Sequence, residues 1–287
     1  MAKWWILIKE RFSPASYVPM IFLFSWANGL YLSQSFKMEW DWGRFAMVFV
    51  LLLSFFFRMR LFDEIKDYEV DLKVNPTRPL ARGVLSVAQV KKALLLLIVF
   101  ELGVAGSLGL SPFLIHAIAI GYSLMMYEEF FIGDLLRPHL TTYAVTHTFV
   151  STLLGLSAGI AMTGAELSQL TWHHALFFLM NWAFFNLFEF TRKTFAPEEE
   201  RDHVPSYSNI FGCHGAWALS ISQAVLGVGV IFYLKPHILP PLALTLYVAV
   251  SLAYLLRKTR KTASLFRNLS GAYLLLHYII LVYIVGV

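Results

Sequence analysis

The stretch "MVFVLLLSFFFRMRLFDEIKDYEVDLKVNPTRPLARG", Met47 to Gly83, joins two chemistries that seldom touch. Its first half is a greasy run. Its second half packs five carboxylates into the nine residues from Asp63 to Asp71. A run reaching back to about residue 43 has the roughly 20 residues that a helix needs to cross a bilayer. The acids then fall where such a helix would leave the lipid.

The rest of the chain repeats the first half of this pattern. Of 287 residues, 58% are hydrophobic and 14% charged, whereas a soluble domain carries roughly 25% charged residues. Lipid is therefore the expected solvent. Nine apolar spans are expected, at about 14–33, 43–62, 88–109, 112–132, 138–163, 171–192, 215–234, 237–256 and 267–287. The opening "MAKWWILIKERFSP" has basic residues on both sides of its apolar patch and no small-residue cleavage site. It reads as a short interfacial helix with Trp4 and Trp5 at headgroup level, not as a signal peptide.

With nine spans, 20 of the 23 Lys and Arg residues fall on the side of the N-terminus, leaving Lys37, Arg44 and Lys235 opposite. The positive-inside rule then predicts a cytoplasmic N-terminus and a C-terminus on the other side. The net charge of +5 is thus an orientation signal, and no nucleic-acid partner is expected. The single cysteine, Cys213, excludes an intrachain disulfide and any multi-cysteine metal site.

No linker or low-complexity stretch divides residues 1–287, so one transmembrane domain is expected. Two long polar loops, about 63–87 and 194–214, should lie on one face and form its polar cap. On a helix continuing past residue 62, with Asp63 at 0°, Asp67 falls at about 40°, Asp71 at about 80° and Glu64 at about 100°. Lys66 at about 300° and Glu69 at about 240° point elsewhere. Four carboxylates in one quadrant repel one another, more strongly at the edge of a low-dielectric bilayer. A hard divalent cation such as Mg²⁺, bound by carboxylates and substrate phosphate oxygens, would relieve them. The bland alternative is a solvated acidic loop. The following "NPTRPLARG" adds Asn75, Arg78 and Arg82 on a turn stiffened by Pro76 and Pro79, a plausible diphosphate clamp.

These residues resemble the UbiA-type superfamily of intramembrane prenyltransferases. Asp63 stands at the Asn of the family's N-D-x-x-D-x-x-x-D signature, Glu64 at its first Asp, and Asp67 and Asp71 at the other two. "NPTRPLARG" matches the family's following N-P-x-R-P-L-x-x-G segment. The resemblance implies an all-α polytopic bundle of about nine transmembrane helices around a central cavity. A prenyl diphosphate would bind through Mg²⁺ and ionise to an allylic cation, which a lipophilic, often aromatic, acceptor attacks. The 16% aromatic content would suit cation stabilisation by ring faces, or reflect only the Phe and Trp that membranes favour.

The family's second signature, D-x-x-x-D-x-x-x-D, is where this chain departs. Glu189 can hold its first position, but Lys193 and Pro197 occupy the next two. On a helix, Asn186, Glu189 and Lys193 share one face. Either Lys193 contacts the diphosphate in place of a metal, or Glu198, Glu199, Glu200 or Asp202 folds back after an inserted turn. An ordinary Glu189–Lys193 helix pair is the bland alternative.

The resemblance thus assigns Mg²⁺ to Asp63, Glu64, Asp67, Asp71 and Glu189. It assigns diphosphate contacts to Arg78, Arg82, Lys193 and Asn186, with Asp67, Asp71, Glu189 and Lys193 as the catalytic set. Elsewhere, Glu101 deep in the third span is a functional candidate or a partner for a neighbouring helix. Glu128 and Glu129 could face the polar mouth, and Asn28 and His147 read as helix–helix hydrogen-bonders. The rival functions are a terpene cyclase on the same scaffold and a non-catalytic transporter or assembly factor. An alcohol phosphatidyltransferase would need D-x-x-D-G-x-x-A-R, which the chain lacks.

Overall fold

A computed structural model describes residues 2–201 and 204–286. Among them every regular element is a helix: α1 Ala2–Arg11, α2 Pro14–Ser35, α3 Trp42–Lys66, α4 Tyr68–Val74, α5 Val87–Leu108, α6 Leu110–Tyr127, α7 Gly133–Leu136, α8 Leu140–Thr148, α9 Val150–Thr163, α10 Trp172–Arg192, α11 Tyr207–Leu234, α12 Leu239–Arg257 and α13 Arg260–Gly286. The expected all-helical membrane protein is what is found, because a chain in lipid must satisfy its backbone polar groups within each segment.

The helix starts are written locally. Asp41 accepts a hydrogen bond from the Arg44 amide at the head of α3. Ser86 and Gln89 form a reciprocal capping box at the head of α5. Ser206 accepts from the Asn209 amide at the head of α11. Gly212, at φ 69°, then breaks α11 after its first turn, in a conformation that favours glycine. The expected second loop therefore ends in a helical turn followed by a kink.

Each expected span overlaps a helix, although 112–132 outruns α6, which ends at Tyr127, and 138–163 is divided between α8 and α9. Among the described residues, six helical segments are long and apolar enough to cross a membrane: Trp42–Lys66, Leu110–Tyr127, Leu140–Thr163, Tyr207–Leu234, Leu239–Arg257 and Arg260–Gly286. The other three are more polar. Helix α5 carries Lys91, Lys92 and Glu101, α2 carries Asn28 and Gln34, and α10 carries two histidines and two asparagines. Rows of large apolar side chains stand exposed, such as Leu242, Leu246 and Val250 on α12 and Leu95, Leu96 and Val99 on α5. In water such faces would be a liability. In lipid they are the expected outer surface.

The chain forms two compact units, Met1–Phe130 with Ser157–Leu167, and Phe131–Leu156 with Ser168–Val287. In the first, α3 packs on α2, α5 and α6. Leu7 of α1 is buried with Leu61, Leu80, Leu85, Val90 and Leu94, so the N-terminal helix belongs to the core beneath the first acidic stretch. In the second, α10 packs on α8, α11 and α13, and α12 on α11 and α13.

Candidate functional site

The first acidic stretch stays nearly helical. The Asp67 amide donates to the Asp63 carbonyl and the Asp71 amide to the Asp67 carbonyl, so i→i+4 bonding runs from α3 through Asp67 into α4. The four carboxylates keep different company, however. Asp63 is half exposed and meets Arg60 at 3.2 Å. Glu64 is buried against Arg11 of α1, with Arg60 at 3.6 Å on its other side. Asp67 and Asp71 share Arg78: its Nη1 lies 3.4 Å from Asp67 Oδ2 and 2.6 Å from Asp71 Oδ2. Asn75 Nδ2 donates to the other Asp71 oxygen at 3.1 Å. Asp71 is 5% exposed while Asp67 is 51% exposed, so the pair runs from the core to the surface.

Partial burial works against the Arg78 charge. The hydrogen bond to Asp71 and the charges of Asp71, Asp67 and Glu64 outweigh it, and hold the guanidinium above its usual pKa. Arg82 turns away, donating to the Thr77 carbonyl and pairing with Glu10 of α1 at 2.7 Å. Helix α1 therefore clasps both sides of the stretch, with Arg11 on Glu64 and Glu10 on Arg82. Among the described residues no three acidic, His or Cys side chains come together as a metal cluster. The fit to a hard cation rests on Asp67 and Asp71. One nitrogen touches both, so a single positive centre can reach both sets of oxygen ligands.

The second stretch lies in the other unit. Asn186 is buried between helices, accepting from Thr148 of α8 and donating to Gln223 of α11 at 3.3 Å. Glu189 takes Arg192 and Lys193, one turn on, the latter at 3.3 Å. Lys193 and Glu189 thus make the ordinary helix pair. Beyond them, Glu198 accepts from the Arg260 amide. Glu199 is gripped by Arg267 at 2.8 and 3.1 Å and by the Ala196 amide. Glu200 accepts from Ser206 and Ser208. Burial opposes the Glu199 charge, but the Arg267 and Ala196 bonds outweigh it and hold its carboxyl below the usual carboxylate range. Asp202 lies outside the described residues.

A third group sits within the membrane-spanning part of the first unit. Arg58, counted from sequence among the orientation charges, is fully buried. It donates Nε to both Glu101 oxygens at 3.0 Å and Nη1 to Ser123 at 2.8 Å. Ser54 donates to Glu101 at 3.1 Å, and His116, 3.6 Å away, bonds Ser157. Glu101 is thereby the partner of neighbouring helices, an ion pair that lipid cannot hydrate and that is costly to break. Glu129 is buried against Lys66 at 2.6 Å. Asn28 bonds the Phe24 carbonyl of its own helix, and His147 stacks on Tyr143.

The sequence reading missed Arg11, Arg60, Arg192 and Arg267 as partners of the acids. Arg60–Glu64 and Glu189–Arg192 carry a helical signal, at spacings of four and three. Arg11–Glu64 and Arg267–Glu199 carry none, being 53 and 68 residues apart.

A family model, the UbiA prenyltransferase family, matches residues 15–276. No curated protein sequence matches the chain. One similar solved structure comes from work on the biosynthesis of digeranylgeranylglyceryl phosphate synthase in membranes. It is 18% identical, with TM-score 0.66, covering 100% of this chain and 99% of that one. Another is the apo structure of a UbiA homolog from Aeropyrum pernix K1, 16% identical with TM-score 0.65, covering 91% of this chain and 96% of that one. At these identities the likeness is one of fold.

Proposed function

Since the chain belongs to the UbiA prenyltransferase family, we propose that it moves a prenyl group from a Mg²⁺-bound prenyl diphosphate to a lipophilic acceptor within the membrane. The observation that carries this reading is the convergence of Asp67 and Asp71 on one point beside the rigid turn of Asn75 to Gly83. Asp67 and Asp71 would hold the cation, with exposed Asp63 close by in sequence. When bound, Mg²⁺ would neutralise charge on the departing diphosphate. Glu64, pinned between Arg11 and Arg60, would hold α1 in place more than it holds metal. Arg78 would bind phosphate oxygens through its planar fork, and Arg82 would join it only by exchanging Glu10 for phosphate. Lys193, held by Glu189 at 3.3 Å, would offer a point charge to phosphate. The N-terminus and both polar loops would face the cytoplasm.

The test is incubation of the purified protein in nanodiscs with Mg²⁺ and labelled prenyl diphosphates of several lengths. Each is tried with and without a panel of phenolic and alcoholic lipid acceptors. Label in an acceptor adduct supports the reading. A cyclic hydrocarbon or alcohol formed without acceptor would replace it with a terpene cyclase. A specific observation favours a non-catalytic rival, since Glu198, Glu199 and Glu200 are all engaged in holding the fold. Consumption of no prenyl diphosphate at any length, with or without acceptor, would select that rival.

A further inference from the structure

Asp67 and Asp71 each present an Oδ2 atom to the same nitrogen, Arg78 Nη1, at 3.4 and 2.6 Å. That nitrogen stands where the two carboxylates converge, which is also where a divalent cation would sit to use both. We propose that Arg78 is the internal counter-ion of this site, occupying the cation position until a diphosphate draws it away. The proposal rests on the diphosphate reading above and concerns how that site is regulated.

The local construction suits such an exchange. The Arg78 backbone is fixed: its amide donates to the Asn75 carbonyl at 3.0 Å, its carbonyl accepts from the Arg82 amide at 3.0 Å, and Pro76 and Pro79 restrict the turn. Its side chain is 28% exposed, so an anion arriving from the polar side can reach the guanidinium. Asp71 does not depend on Arg78 alone, because Asn75 holds its other oxygen. When the guanidinium leaves, Asp71 therefore stays oriented. A guanidinium cannot release a carboxylate by losing its proton. It can only exchange one anion for another, and a diphosphate offers more charge and a bidentate match to the fork.

Two consequences follow. A cation arriving alone meets carboxylates already neutralised and must displace an ion pair. A cation arriving with diphosphate meets carboxylates that the diphosphate has just freed. Metal and diphosphate therefore strengthen each other's binding, and by linkage equally in both directions.

The experiment measures Mn²⁺ binding by electron paramagnetic resonance on the full chain in nanodiscs, with and without inorganic pyrophosphate. The parent should bind Mn²⁺ weakly alone and more tightly with pyrophosphate. Arg78→Gln should bind Mn²⁺ alone about tenfold more tightly than the parent, and gain little from pyrophosphate. Arg78→Lys, which keeps the charge but loses the fork, should fall between the two. Arg257→Gln removes the same charge from the end of α12 and should behave as the parent.

Arg78→Gln and Arg78→Lys binding Mn²⁺ alone no more tightly than the parent would overturn the proposal. If pyrophosphate still tightens Mn²⁺ equally in parent and variants, the diphosphate site stands and only the counter-ion role falls. If Mn²⁺ binds no form under either condition, both fall. Should the variants not fold, the parent alone decides: no gain from pyrophosphate refutes the exchange.

Discussion

In the stretch Asp63–Asp71 two carboxylates lean on one guanidinium nitrogen, whereas in the stretch Glu189–Glu200 the carboxylates are met by different donor atoms. The first arrangement leaves a pair of oxygens aimed at a common point, with one member half exposed. The second fastens a loop: Glu199 ties it to α13, Glu198 to the backbone at the start of α13, and Glu200 to the head of α11. Two runs of acid that look alike in sequence thus differ: the second is a clasp, and the first is the stretch proposed as a site. One donor atom shared by two acids concentrates charge at a point, and separate donor atoms spread it along a surface.

The sharpest way to break this comparison is to remove the converging pair. Asp67→Ala and Asp71→Ala should each lower Mg²⁺-dependent turnover by about 100-fold or more, read with labelled prenyl diphosphate, while the protein stays folded. Unchanged turnover would deny the first stretch its role as a site. Next is Glu199→Ala, which strips Arg267 of two charged hydrogen bonds. It should cost about 2 kcal/mol of stability, read by thermal unfolding in detergent, and little turnover per folded molecule.

Acid should expose the same clasp. The Glu199 carboxyl is held below its ordinary value in the fold, so its contribution is complete above the unfolded pKa of about 4.3 and is lost as pH falls through the folded value. Glu199→Gln should flatten the loss of melting temperature below that pH. A parent and variant that lose stability in parallel would argue against the Arg267 grip.

Smaller still is the effect of Lys193→Met. If its ammonium reaches the diphosphate, KM should rise by about tenfold with kcat nearly kept. An unchanged KM would leave Lys193 as only half of a helix pair. The least is Glu189→Gln, expected to change stability by about 0.5 kcal/mol or less, since its partners lie one turn along its own helix and remain open to solvent.

Much of this was legible in the sequence. Apolar runs of bilayer length marked the helices, and "DEIKDYEVDLKVNPTRPLARG" marked the family. The helical wheel correctly put Asp67 and Asp71 on one side, because i→i+4 bonding continues through Asp67. It could not separate Glu64 from them. Glu64 lies at the wheel's edge, and its inward turn is decided by Arg11, 53 residues earlier. Likewise the charge on Arg58 read as an orientation signal at a helix end, until Glu101 and Ser123 from α5 and α6 were seen closing round it.

What the sequence determined by itself is everything governed by short-range periodicity and by transfer into lipid: which segments are helices, where charge leaves the bilayer, and which motif sits at that edge. Only the tertiary structure decided which cation each carboxylate meets. Those meetings join residues dozens of positions apart, and a buried ion pair forms only where packing brings its two halves within hydrogen-bonding distance. The same four acids could meet many partners, and the packing of α1, α3 and the Asn75–Gly83 turn set Glu64 against Arg11 and Asp67 and Asp71 against Arg78.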